Sequence, residues 1–151
     1  LTPVAHGPLD PAGPPCALGH PGCATALLTT GEVGDRVARA WGRPGRVPWG
    51  EVLDGARTAD PVCTAEVAAA ARGLGRLLAW VANATGATTV VVSGEATGLL
   101  DVAGTSVRAA LDADRHPAAT PVRLVVEAPD FVMWSRGAAA MTIQDVLVRT
   151  P

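Results

Sequence analysis

The 151-residue chain has no tyrosine, no lysine and a single phenylalanine, Phe131, so aromatic residues make up only 3% of it. With so few large rings, the interior has to be assembled from Ala, Val and Leu, which dominate a hydrophobic content of 48%, enough to bury a core. The missing lysines leave twelve arginines as the permanent cations, and the net charge is −2. No basic cluster forms, which argues against direct binding of a nucleic-acid backbone. A long apolar run is also absent, because Arg72 and Arg76 interrupt the best candidate, and no secretory signal pattern precedes it. A soluble, cytoplasmic protein with no membrane partner is expected. Its three cysteines, Cys16, Cys23 and Cys63, cannot all pair and are expected to stay reduced. Ser93, Ser106 and Ser135 sit in no nucleophile-elbow pattern and no phosphate loop occurs, so no enzymatic activity is expected of the chain by itself.

The chain reads as a single domain, 1–151, in three stretches. Residues 1–23 are rich in Pro and Gly and read as an irregular loop that a metal ion can pin. Residues 24–58 carry short helical patterns at Ala24–Thr29, Val33–Trp41 and Glu51–Arg57, the last two separated by the breaker Gly42-Arg43-Pro44-Gly45. Residues 60–151 alternate helix and strand. Asp60-Pro61 opens a long helix that ends at Gly86, with Val67, Ala71, Leu74, Leu78 and Val81 recurring at helical period. Gly73 and Gly75 weaken its interior by about 1 kcal/mol each relative to Ala, which predicts close helix packing as compensation. Thr88–Gly94 is a β-branched run expected in a strand covered on both faces. Helix over Leu99–Leu111, strand over Val122–Glu127 and a closing helix over Phe131–Val148 complete an α/β pattern with a parallel strand pair.

Near the start stands a spacing of potential ligands: His6, then Cys16, then Cys23 within Cys16-Ala17-Leu18-Gly19-His20-Pro21-Gly22-Cys23. Structural zinc is held tetrahedrally by four Cys or His ligands, and two cysteines on a Gly-rich turn can converge on one ion. The spacing resembles the His-x9-Cys-x-Cys-x4-Cys zinc element of the ROK family, which groups bacterial repressors, open reading frames and sugar kinases. Two further stretches resemble the family in the same order: Thr89-Val90-Val91-Val92-Ser93-Gly94-Glu95, like its strand and Gly-rich turn, and Trp134-Ser135-Arg136-Gly137-Ala138-Ala139, like the opening of the final helix in its regulators. The chain begins at Leu1 just ahead of the motif, as expected of the C-terminal portion of a longer protein.

The resemblance implies part of an actin-like, ribonuclease H-like domain of the kind shared by sugar kinases and Hsp70-type ATPases. It also implies zinc ligands at His6, Cys16 and Cys23. The family's second Cys falls at Leu18, which cannot ligate, and His20 can supply the fourth nitrogen. Three readings stand side by side: bound zinc, a metal-free relic packed by Leu18, and a disulfide or thiol role. Sugar contacts are reduced, because the family's Gly-Glu-x-Gly-His segment is Thr2-Pro3-Val4-Ala5-His6 here, and its later sugar-binding Glu is Thr25. Of these contacts His6 remains, and Gly94 and Glu95 are further ligand candidates at a strand end.

The expectation is therefore the effector-sensing and dimerisation portion of a ROK transcriptional regulator, with a sugar or sugar derivative as effector and DNA bound only through an upstream region. The alternatives are a piece of a ROK sugar kinase or its inactive descendant, and a stand-alone oligomerisation module. Asp112, Asp114 and His116 read as a solvated loop, Cys63 as a small core residue, and Trp80 and Trp134 as core or interface anchors.

Overall fold

The computed structural model describes residues 3–127 and 131–148, which leaves Thr2 of the sugar-contact segment outside the described residues. A 3-10 turn, Pro3–His6, leads through an irregular loop to α1 (Ala24–Leu28), α2 (Thr30–Ala40), α3 (Trp49–Arg57) and α4 (Pro61–Thr85). Then come β1 (Thr89–Ser93), α5 (Gly98–Ala113), β2 (Arg123–Glu127) and α6 (Phe131–Val148). Every helix and strand expected from the sequence is present, with no end shifted by more than three residues and α6 matching at both ends.

The long helix α4 is the spine. Asp60 caps its start by accepting from the Cys63 N–H at 2.9 Å, and Gly86 ends it at φ 71°, a left-handed conformation that favours glycine. Its buried face includes Cys63, Val67, Ala71, Leu78 and Ala82, which meet α2, α3 and α5 in one hydrophobic cluster. Cys63 is fully buried, as expected, and burial together with Asp60 pushes its thiol pKa up to about 11. The two interior glycines are explained by contact distance. A Cβ at Gly75 would lie 2.5 Å from the Val107 carbonyl oxygen, and one at Gly73 would lie 3.1 Å from Leu27, so α4 can approach α5 and α1 only without side chains there. Arg36 of α2 donates to Glu66 of α4 at 2.7 Å and to the Ala26 carbonyl of α1 at 2.7 Å, tying three helices together.

The sheet differs from expectation. β1 and β2 pair in parallel, Val90 against Leu124 and Val92 against Val126, but among the described residues helices cover one face only. Val91 is 61% exposed, because the period-two alternation of a strand sends it to the opposite face from Val90 and Val92, and Val126, paired with Val92 near the end of β2, is 49% exposed. A continuous apolar run thus overstated the cover. Trp80 and Trp134 are also half exposed, and neither belongs to the core. Val81, placed on the apolar stripe of α4, is 38% exposed, because the buried stripe runs on through Ala79 and Ala82 instead. No helix among the described residues is long and apolar enough to cross a membrane.

Candidate metal centre and ligand cavity

The loop before α1 is irregular yet fixed by its own backbone. Leu9 and Asp10 both donate to the Gly22 carbonyl at 2.9 Å, Gly22 donates to Pro14 at 2.8 Å, and Cys16 donates to His20 at 3.0 Å. Proline has no N–H to satisfy, so a Pro-rich loop closes on few hydrogen bonds. Gly22 is indispensable there: its φ is 50°, and a Cβ would stand 1.6 Å from the Asp10 carbonyl oxygen. Arg76 of α4 anchors the loop to the core by donating to the Leu9 carbonyl at 2.7 Å.

This folding brings together the four ligand candidates. His6 ends the 3-10 turn, Cys16 and His20 face each other across the hairpin Pro15–Pro21, and Cys23 caps α1, its Sγ accepting from the Ala26 N–H at 3.4 Å. His6 Nδ1 lies 3.3 Å from His20 Nδ1, 3.7 Å from Cys16 Sγ and 3.8 Å from Cys23 Sγ, and His20 Nδ1 lies 3.6 Å from Cys16 Sγ. Ligand atoms of His6, Cys16 and His20 all fall within 4.8 Å of one another, so this trio can hold a metal ion, and Cys23 adjoins it through His6. Tetrahedral bonds of ordinary zinc–nitrogen and zinc–sulfur length put donor atoms about 3.3–3.8 Å apart, which the measured separations match. Burial raises the Cys16 pKa, but hydrogen bonds from the backbone of Leu18 and His20, and from the His20 and Cys23 side chains, outweigh it and bring the thiol down to about 6. At neutral pH it is largely thiolate, the form a metal takes.

Leu18 does not pack the loop in place of a metal. It is 64% exposed, because the hairpin tip turns through Gly19 at φ 84° and carries the side chain outward. All three cysteines are free thiols. Thr25 donates from Oγ1 to the Ala5 carbonyl at 2.8 Å, an internal bond between α1 and the 3-10 turn. Asp112, Asp114 and His116 are exposed.

Gly94 and Glu95 lie elsewhere, at the carboxyl end of β1. Gly94 takes φ 130°, and its carbonyl accepts from the Thr97 hydroxyl at 3.0 Å, closing a tight turn into α5. The turn borders a cavity of about 450 Å³ between α1, α3, α4 and α5, whose apolar wall includes Leu27, Trp49, Leu74 and Leu99. Reading the sequence missed this wall. The one signal for it was a Trp placed directly after Pro48 in a chain otherwise poor in aromatics.

Among solved structures the chain is similar to a ROK hexokinase from Thermus thermophilus, at 27% identity and TM-score 0.61, over 80% of this chain and 41% of that one. It is similar to a ROK-family transcriptional regulator described as a homologue of the E. coli MLC protein, at 20% identity and TM-score 0.66, over 82% of this chain and 33% of that one. A ROK glucokinase from Streptomyces griseus, solved with glucose and AMPPNP, aligns at 22% identity and TM-score 0.58, over 83% of this chain and 45% of that one. The chain therefore spans less than half the length of each. No family model matches the chain, and no curated protein matches it. Kinases and a regulator stand together among its structural neighbours, and what they share is what this chain shows: its fold is that of a segment of these ROK proteins, on the actin-like architecture of the sugar kinases among them.

Proposed function

We propose that the chain is the effector-sensing and dimerisation portion of a cytoplasmic ROK transcriptional regulator, its first loop pinned by zinc. The observation that carries the regulator reading is the Thr25 hydroxyl bonded to the Ala5 carbonyl at 2.8 Å. Where the resemblance places a sugar-holding Glu, the side chain here braces the protein against itself. With Pro3 at the other Glu position, two partners for buried sugar hydroxyls are lost, at about 1–3 kcal/mol each. A kinase has to orient its acceptor hydroxyl closely, and such losses work against that. The alternative, a piece of a ROK sugar kinase or its inactive descendant, draws on the 27% identity to the hexokinase.

In this reading His6, Cys16, His20 and Cys23 hold one zinc ion, whose chemistry is to cross-link the loop and not to activate substrate. His20 takes the place left by Leu18. Two thiolates and two imidazoles make a centre of zero net charge, which suits two ligands that are almost fully buried, Cys16 and Cys23. An effector that prefers one arrangement of the dimer shifts the population toward it, and a cross-linked loop carries that shift to the DNA-binding region upstream. Metal analysis of protein purified without chelator is expected to give one zinc per chain, and well under one rejects the zinc assignment. Calorimetry is expected to show no binding of glucose or N-acetylglucosamine. Micromolar affinity for either, with phosphoryl transfer in the whole protein, restores the kinase.

A further inference from the structure

We infer that the cavity beside the Ser93-Gly94-Glu95 turn binds a small, mainly apolar molecule that is neutral or cationic, and that it rejects anions, nucleotides included. Its volume, about 450 Å³, lies within the roughly 300–1,000 Å³ range of small-molecule sites. Its position, outside the carboxyl end of a parallel strand, is where open α/β folds take ligands. The wall is built by leucines from three helices, Leu27 of α1, Leu74 of α4 and Leu99 of α5, with the Trp49 indole from α3.

Charge fixes the class of ligand. Among the described residues Glu95 is the only charged one on the lining and no arginine reaches it, and the chain has no lysine. A phosphate brought here would meet a carboxylate without a compensating cation, whereas an ammonium or a neutral polar group would be favoured. A second observation marks the same place. The Trp49 indole N–H is buried without a hydrogen-bond partner, the single side-chain nitrogen or oxygen in that condition among the described residues. Buried donors are ordinarily paired, so the wall at Trp49 is short of an acceptor. The ligand is thus a compact ring or branched apolar body bearing no negative charge. Binding there is independent of whether the chain regulates transcription.

Three probes with one ring system test this: 1-naphthalenemethanol, 1-naphthylmethylamine and 1-naphthoate, each titrated into the 15N-labelled full chain, with AMPPNP as a fourth. The Trp49 indole resonance is assigned from the Trp49→Phe variant. The alcohol and the amine are expected to shift the Trp49 indole and Gly94 amide signals saturably, and the carboxylate to bind at least tenfold more weakly than the amine. AMPPNP is expected to leave both signals unmoved. Glu95 is exposed, so Glu95→Arg should fold, and it is expected to reverse the order of amine and carboxylate. The proposal is overturned if neither alcohol nor amine shifts these signals, if the carboxylate binds as tightly as the amine, or if AMPPNP binds at the turn.

Discussion

Residues 3–23 hold one short 3-10 turn and otherwise no helix or strand, whereas α6 is an unbroken helix of 18 residues. Yet the loop is firmly attached to the fold. Backbone bonds cross it, Arg76 anchors it, Cys23 and Leu9 are buried, and His6, Cys16 and His20, a trio that can hold a metal ion, converge within it. In α6 apolar residues lie all round the helix, and Phe131, Trp134, Met141, Ile143 and Leu147 are all more than half exposed. Regular local structure needs only backbone hydrogen bonds between near neighbours in sequence. Attachment to a fold needs cross-contacts, and the loop has them to α1 and α4.

The strongest way to break this contrast is to unlock the loop. Gly22→Ala places a Cβ into the Asp10 carbonyl at a left-handed φ, and is expected to cost about 3 kcal/mol or more in urea unfolding. A loss below about 1 kcal/mol would mean that the loop is not held as described. Next comes the joint between α1, α2 and α4. Arg36→Met leaves Glu66 unpaired in a largely buried place and is expected to cost about 2 kcal/mol, read from the thermal midpoint. An unchanged midpoint would remove that pair from the account of stability. A smaller effect is expected at the metal centre itself: His20→Ala should weaken zinc binding by about tenfold or more, while Leu18→Ala leaves it unchanged. Competition against a chromophoric chelator measures both, and equal affinities would exclude His20 as a ligand. The smallest change is expected at the other end, where Trp134→Ala should shift the unfolding free energy by less than about 0.5 kcal/mol, as for exposed positions generally. A loss of 2 kcal/mol there would show that α6 packs in solution against something the structure does not place on it.

Much of this architecture was legible in the residues. Asp60-Pro61 and Gly86 mark the ends of α4 because capping and left-handed turns are local demands that few residue types satisfy. The same holds for the parallel pair, since Val90–Val92 and Leu124–Val126 are strand formers separated by a helix-length connection. The candidate metal cluster was half legible: ligand spacing pointed to His6, Cys16 and Cys23, but nothing in spacing alone says that His20 swings back across the hairpin to within 3.3 Å of His6. The cavity was hardly legible, because Leu27, Leu74 and Leu99 come from separate helices and look like ordinary core positions one at a time.

By itself, then, the sequence determined the order of helices and strands, the caps that bound them, the close approach of α4 demanded by Gly73 and Gly75, and the family of folds to look for. These follow from interactions within a few residues, or from a steric limit that one residue type imposes. Only the tertiary structure decided that Leu18 faces solvent, that Thr25 is spent on Ala5 and, among the described residues, that the sheet is covered on one face and the wall beside Gly94 carries a carboxylate without a cation. Those outcomes depend on which distant segments meet, and that is set by packing the whole chain at once.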